Sequence, residues 1–128
     1  MSYVIDAVDT VAAKLELISR CRALDVPVLT AMGAGNKLDP TQLRITDLSQ
    51  THTCPLARVM RLECRRRGLT GVKAAWSAEP AIEPDPSAVE EAEESSRRAL
   101  PGSMVFVPAC MGLMIASQVV RDLIAKNG

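Results

Sequence analysis

The first 31 residues constrain the fold more than any other stretch, because they read as one strand-helix-strand unit. Tyr3 to Val8 is a short apolar run broken by an acid at Asp6 and followed by Asp9, the pattern of a buried parallel strand and the loop leaving its C-terminal end. From Thr10, a residue suited to an N-cap, the period changes. Val11, Leu15, Ile18 and Cys21 fall on one helical stripe, with Lys14, Arg20 and Arg22 mostly off it. Asp25-Val26-Pro27 closes the helix and Val28 to Ala31 reads as the next strand. Strands joined through a helix lie parallel, so the class is α/β.

Beyond Ala31 the pattern is more broken. Met32 to Pro40 carries Gly, Asn and Asp-Pro turn chemistry and reads as a loop. Leu43, Ile45 and Asp47 alternate with Arg44, Thr46 and Leu48, which predicts a short, partly exposed strand. Thr53 can cap a helix with Pro55 in its first turn; Leu56, Val59, Met60 and Leu62 would form its apolar side and Gly68 its end. Val72 to Ser77 is a further strand. The segment 78–102 then mixes Pro80, Pro84 and Pro86 with many acids and predicts a mobile acidic loop, with a short helix possible from Ser87. Pro108 starts a last helix to about Lys126, with Met111, Met114, Ile115, Val119, Leu123 and Ile124 as its buried surface. Ala99 to Val120 has no formal charge over 22 residues, but Pro101, Gly102, Pro108, Ser117 and Gln118 interrupt it. A buried loop entering a core helix is the expectation there, ahead of a membrane span.

Composition narrows the function classes. At 128 residues the chain is one domain or part of a larger one. Lys plus Arg equals Asp plus Glu at 15 each, which leaves no uniform field for indiscriminate nucleic-acid or membrane binding. One Phe, one Tyr and one Trp are too few for a base-stacking platform. The neutral balance hides local asymmetry: Arg58 to Lys73 carries +5 and Glu79 to Glu94 carries −7. Cys21, Cys54, Cys64 and Cys110 never form C-x-x-C, which predicts a reduced, cytoplasmic protein, and His52 alone must serve any histidine-dependent chemistry.

Several residues invite a chemical role. Asp6 and Asp9 sit where open α/β sheets place ligands, and a carboxylate there can hold Mg²⁺ together with phosphate oxygens, or one of them can simply cap the following helix. Gly33-Ala34-Gly35 can approach a phosphate or form a structural turn. Arg58, Arg61 and Arg65 share a helical face and can track RNA phosphates; they equally suit a solvated face near a helix C-terminus. Cys54 and Cys110 are candidate nucleophiles or buried thiols.

Four segments in order carry a resemblance: Tyr3 to Thr10, Met32 to Thr41, Cys54 to Arg61, and Phe106 to Pro108 with Gly112 to Ala116. Together they resemble the ThiF/MoeB/HesA superfamily, which is similar to the catalytic domain of ubiquitin-activating enzymes, and within it the threonylcarbamoyladenosine-dehydratase branch. The resemblance implies the C-terminal half of a Rossmann-like ThiF-type domain, a mixed sheet with flanking helices, from an enzyme that uses ATP and Mg²⁺ to adenylate a carboxylate on tRNA. It puts the second Asp of the D-x-x-D motif, the metal and nucleotide ligand, at Asp9, and a basic cofactor-binding residue at Lys14. Arg58, Arg61 and Arg65 become the tRNA candidates, and a homodimer is the expected assembly.

The glycine-rich G-x-G-G-V-G-type loop that opens such enzymes does not precede Tyr3 here. Residues 1–128 are therefore expected to be a partial domain that lacks its N-terminal nucleotide-binding half and is inactive alone. The absence of C-x-x-C pairs favours the dehydratase branch over activation of a ubiquitin-like sulfur carrier. A non-catalytic half-domain that self-associates through an uncovered apolar surface is the alternative of a different class.

Overall fold

A computed structural model describes residues 2–34, 37–80 and 102–127. The acidic stretch 81–101, with the helix expected from Ser87, lies outside the described residues, as does Gly35. Four strands form one sheet in the order β1-β2-β4-β3: β1 (Val4–Asp6), β2 (Val28–Ala31), β3 (Leu43–Asp47) and β4 (Lys73–Ser77). β1, β2 and β4 are parallel, and β3 runs antiparallel to β4 at the far edge. Among the described residues three helices flank it: α1 (Val11–Ala23), α2 (Pro55–Arg66) and α3 (Gly102–Asn127). The mixed sheet with flanking helices is the architecture expected from the sequence.

The strand-helix-strand unit forms as read. Thr10 caps α1, its hydroxyl accepting the Ala13 amide at 3.3 Å, and β2 lies in parallel register beside β1. Strand alternation then sends side chains to two cores. Ala74 and Trp76 of β4 meet Leu15 and Ile18 of α1 and Ala57, Met60 and Cys64 of α2 on one face. On the other, Leu29, Leu43 and Ala75 meet Val107, Met111 and Ile115 of α3. The sheet is thus covered by α1 and α2 on one side and by α3 on the other.

Helix details correct several expectations. On α1, Lys14 is buried along with Leu15, Ile18 and Cys21 rather than lying off the stripe. The N-cap of α2 is Cys54, not Thr53; Thr53 sits at φ 61° and its hydroxyl donates to the His52 carbonyl instead. Val59 and Leu62 are exposed, since each lies two positions, about 200° round the helix, from a buried residue at 57 or 60. Ile124 is exposed for a related reason: nine positions beyond Ile115 is about half a turn away.

The helix α3 begins at Gly102 and runs through Pro108, so the stretch before Pro108 is helix and not loop. Pro108 is exposed, and its missing N–H removes one bond to position 104. By length and composition Val107–Lys126 passes as a membrane span, while its Val107, Met111 and Ile115 are packed on the sheet.

A polar tie holds α3 to the N-terminal edge of the sheet. Asp122 Oδ2 accepts the Tyr3 hydroxyl and the Lys73 ammonium, both at 2.9 Å, and Oδ1 accepts Gln118 Nε2 at 2.8 Å. The Lys73 bond holds the Asp122 carboxyl below its ordinary range, and burial together with Asp122 pushes the Tyr3 phenol up to about 12. Between pH 10 and about 12 the folded chain therefore keeps a proton that the unfolded chain loses, so this contribution to stability declines as pH rises. In denaturant titrations across that window, the stability advantage of the wild type over Tyr3→Phe should shrink steadily. An advantage that stays constant to about pH 12 would refute the assignment.

Candidate active site

In a parallel sheet, ligand-binding groups gather beyond the C-terminal ends of the strands. Here that edge carries Asp6, Ala31 and Ser77 and the turns that follow them. Asp9 lies in the turn between β1 and α1, immediately before the Thr10 cap, and is exposed. Among the described residues it makes no hydrogen bond. Its carboxylate stands at the N-terminus of α1, where the helix dipole favours negative charge.

Beneath this turn lies a buried polar cluster. Asp6 and Thr30 are direct partners in the β1–β2 register, and with Lys14 they are the largest polar groups excluded from solvent. Thr30 Oγ1 donates to Asp6 Oδ2 at 2.7 Å, and Val8 N donates to Asp6 Oδ1 at 3.1 Å. Lys14 Nζ donates to the Ala31 carbonyl at 2.7 Å, pairs with Asp6 Oδ2 at 3.4 Å and reaches Thr30 Oγ1 at 3.5 Å. The Lys14 side chain, 1% exposed, thus spends its donors inside the fold.

The loops after β2 and β4 are fastened together by Glu79, a residue that by sequence belongs only to the acidic segment. Glu79 accepts the Leu38 amide on both carboxylate oxygens, at 3.2 and 3.0 Å, and the Asp39 amide at 3.2 Å. Lys37 Nζ bonds the Glu79 carbonyl at 2.9 Å. Asp39 in turn accepts the Thr41 amide and hydroxyl, which hold its carboxyl below the ordinary range. A lone Glu in a Pro-rich acidic run gives no period to identify such a role. Gly33 has open space where a side chain would begin, so nothing packed nearby demands glycine there.

Elsewhere, α2 presents Arg58 and Arg65 to solvent, whereas Arg61 is bound at 2.7 Å to both the carbonyl and the hydroxyl of Thr51. Arg61 lies between two clefts, one of about 530 Å³ with Thr53, Cys54 and Arg58, the other of about 340 Å³ with Asp47, Cys64 and Arg65. Another cavity, about 380 Å³, is lined by Tyr3, Arg22, Lys73 and Asp122 at the opposite edge of the parallel strands, away from Asp9. His52 packs edge-on against Trp76, with ring centroids 4.7 Å apart. All four cysteines are free, and burial raises the thiols of Cys21 and Cys64.

For Mg²⁺, Asp9 is one exposed carboxylate; among the described residues no three acidic, His or Cys side chains converge. Mg²⁺ commonly takes one or two carboxylates and fills its shell with water and substrate phosphates, so a single exposed carboxylate is compatible with it.

No protein-family profile matches the chain. It is 41% identical over 130 residues to the tRNA threonylcarbamoyladenosine dehydratase of Bacillus subtilis, an alignment covering 97% of this chain and 51% of the relative. The Escherichia coli dehydratase is 33% identical over 98% of this chain and 53% of its own length. Among solved structures, the E. coli enzyme in complex with AMP aligns at TM-score 0.75 and 32% identity, and in complex with ATP at 0.58 and 31%. The alignments cover 98% and 91% of this chain, and 49% of the solved chain in both cases. The chain therefore spans about half the length of the relatives it matches.

Proposed function

From the homology of this chain, over nearly its whole length, to about half of the tRNA threonylcarbamoyladenosine dehydratases, we propose that it is the metal-binding part of a cytoplasmic, homodimeric adenylating enzyme of that kind. The observation that carries the reading is the place of Asp9, exposed beyond the C-terminal end of a parallel strand in a sheet whose solved counterparts include complexes with ATP and AMP. In this reading the carboxylate of a threonylcarbamoyl group on a tRNA adenosine attacks the α-phosphate of ATP and releases pyrophosphate, and a nucleophile of the same threonylcarbamoyl group then attacks the activated carbonyl, closing the ring as AMP leaves. Bound Mg²⁺ would neutralise charge developing at the α-phosphate. Asp9 would hold the metal and orient the nucleotide, with the N-terminus of α1 behind it. Arg58 and Arg65, exposed and without a side-chain partner among the described residues, would meet tRNA phosphates, while Arg61 would first have to leave Thr51.

The nucleotide cradle is expected from further polypeptide. β1 is an edge of the described sheet, and Ile5 within it and Val8 just after it are 46% and 37% exposed, which supports a fold that more chain or a second copy completes. The test is to replace the corresponding half of the B. subtilis relative with this chain and to measure AMP release from ATP with threonylcarbamoyladenosine-containing tRNA. Release that depends on the tRNA is expected, and Asp9→Ala should lower it by about 10²–10³-fold. A folded chimera that releases no AMP would sink the reading. The isolated chain should show no ATP–pyrophosphate exchange.

A further inference from the structure

We infer that Asp6, Lys14 and Thr30 form a positioning cluster that sets the turn bearing Asp9 and the exit of β2 as a single unit. The purpose assigned to the cluster rests on the adenylation reading, but its geometry stands apart from it. Each group joins two elements. Asp6 ends β1 and reaches forward to the Val8 amide, one residue short of Asp9. Thr30 ties that carboxylate to β2. From the first turn of α1, Lys14 binds both Asp6 and Ala31, the last residue of β2, after which the Met32 amide bonds Ala75 of β4 at 2.8 Å. The turn, the helix start and two strand ends are thereby fixed against one another beneath the exposed carboxylate.

Stability alone does not account for such a cluster. Burying an ammonium and a carboxylate carries a desolvation cost that well-packed apolar residues of similar size would avoid. What apolar residues cannot supply is direction, because only oriented hydrogen bonds hold a turn of three residues in one backbone conformation. Lys14 therefore acts through Asp6 and Ala31, as a positioning residue.

The test is amide hydrogen exchange followed by NMR on the 128-residue chain, comparing wild type, Thr30→Val and the paired variant Asp6→Asn with Lys14→Met. Pairing the substitutions removes both charges at once. Exchange at Val8 should accelerate about fivefold in each variant, near the worth of one neutral hydrogen bond. The amides of Met60 and Cys64, in the core on α2, should accelerate no more than each variant's loss of global stability in urea requires. Acceleration at all three positions by the same factor, or none at Val8, would show that the cluster only holds the fold and would overturn the proposal. Should the paired variant fail to fold, Thr30→Val alone carries the same two outcomes. No nucleotide enters this measurement, so its failure would leave the AMP-release test standing, and the reverse.

Discussion

Removing either partner of the Asp6–Lys14 pair should destabilise the chain by about 3–5 kcal/mol, the range for a buried charge stripped of its partner. The two single variants are not expected to be equal. In Lys14→Met, Asp6 keeps the Thr30 hydroxyl at 2.7 Å and the Val8 amide at 3.1 Å, so the loss should fall near the low end. In Asp6→Ala, the Lys14 ammonium keeps one short neutral bond, to Ala31, and the loss should fall near the high end. The pair Asp6→Asn with Lys14→Met should cost less than either, since no charge is left buried. Urea titration of the three variants checks the order, and a paired variant less stable than both singles would contradict it.

A comparable loss is expected at the other end of the same core. Trp76, 3% exposed on β4, packs among Leu15, Met60 and Leu48, donates its indole N–H to Thr46 Oγ1 at 2.9 Å and takes the edge of His52. Trp76→Ala should cost about 3–5 kcal/mol through lost contact and the cavity left behind. Trp76→Phe should cost much less. It keeps a ring in the core, and the Thr46 hydroxyl still has the Asp47 carbonyl at 3.0 Å as an acceptor. If Trp76→Phe proved as damaging as Trp76→Ala in denaturant midpoint, the hydrogen bond and not the packing would be the larger contribution.

The parts of the fold legible in the sequence are those with a strong local period. Val28 to Ala31 emerges as a strand at the residues expected because Pro27 and the turn chemistry after Met32 bound it, and Leu43 to Asp47 because alternation over five residues leaves little choice of boundary. The end of α2 was equally plain: Gly68 has φ 68°, and the Leu69 amide returns to the Cys64 carbonyl at 2.8 Å. Lys14 was misplaced because a charged type outweighed its spacing. Positions 14, 18 and 21 share a stripe, and that period was the available signal. Thr53 looked like the better cap by residue type, but Pro55 at the start of α2 puts Cys54 in the capping position.

Around the candidate site, the place of Asp6 and Asp9 after a parallel strand is legible in the sequence, whereas the contacts that shape their turn are not. Asp6 pairs with Thr30 across 24 residues and Glu79 reaches Leu38 across 41, separations that no periodicity encodes. Arg61 shows the same limit from the other direction. Its charge and helical face matched Arg58 and Arg65, but the carbonyl and hydroxyl of Thr51, ten residues earlier, engage its guanidinium.

The pairing of Asp6 with Thr30 also bears on how the chain finds its fold. Parallel strands joined through a helix have no tight turn to set their alignment, so the two could meet displaced by a residue, turning every side chain of one to the wrong face. In a pairing displaced by one residue, Leu29 or Ala31 would stand opposite Asp6 in place of Thr30, and the buried carboxylate would lose the hydroxyl it accepts at 2.7 Å. Misalignment is thereby penalised at the strand ends, before the rest of the sheet has been added. Two buried polar side chains thus discriminate against competing alignments during folding, at the first point where this sheet can go wrong.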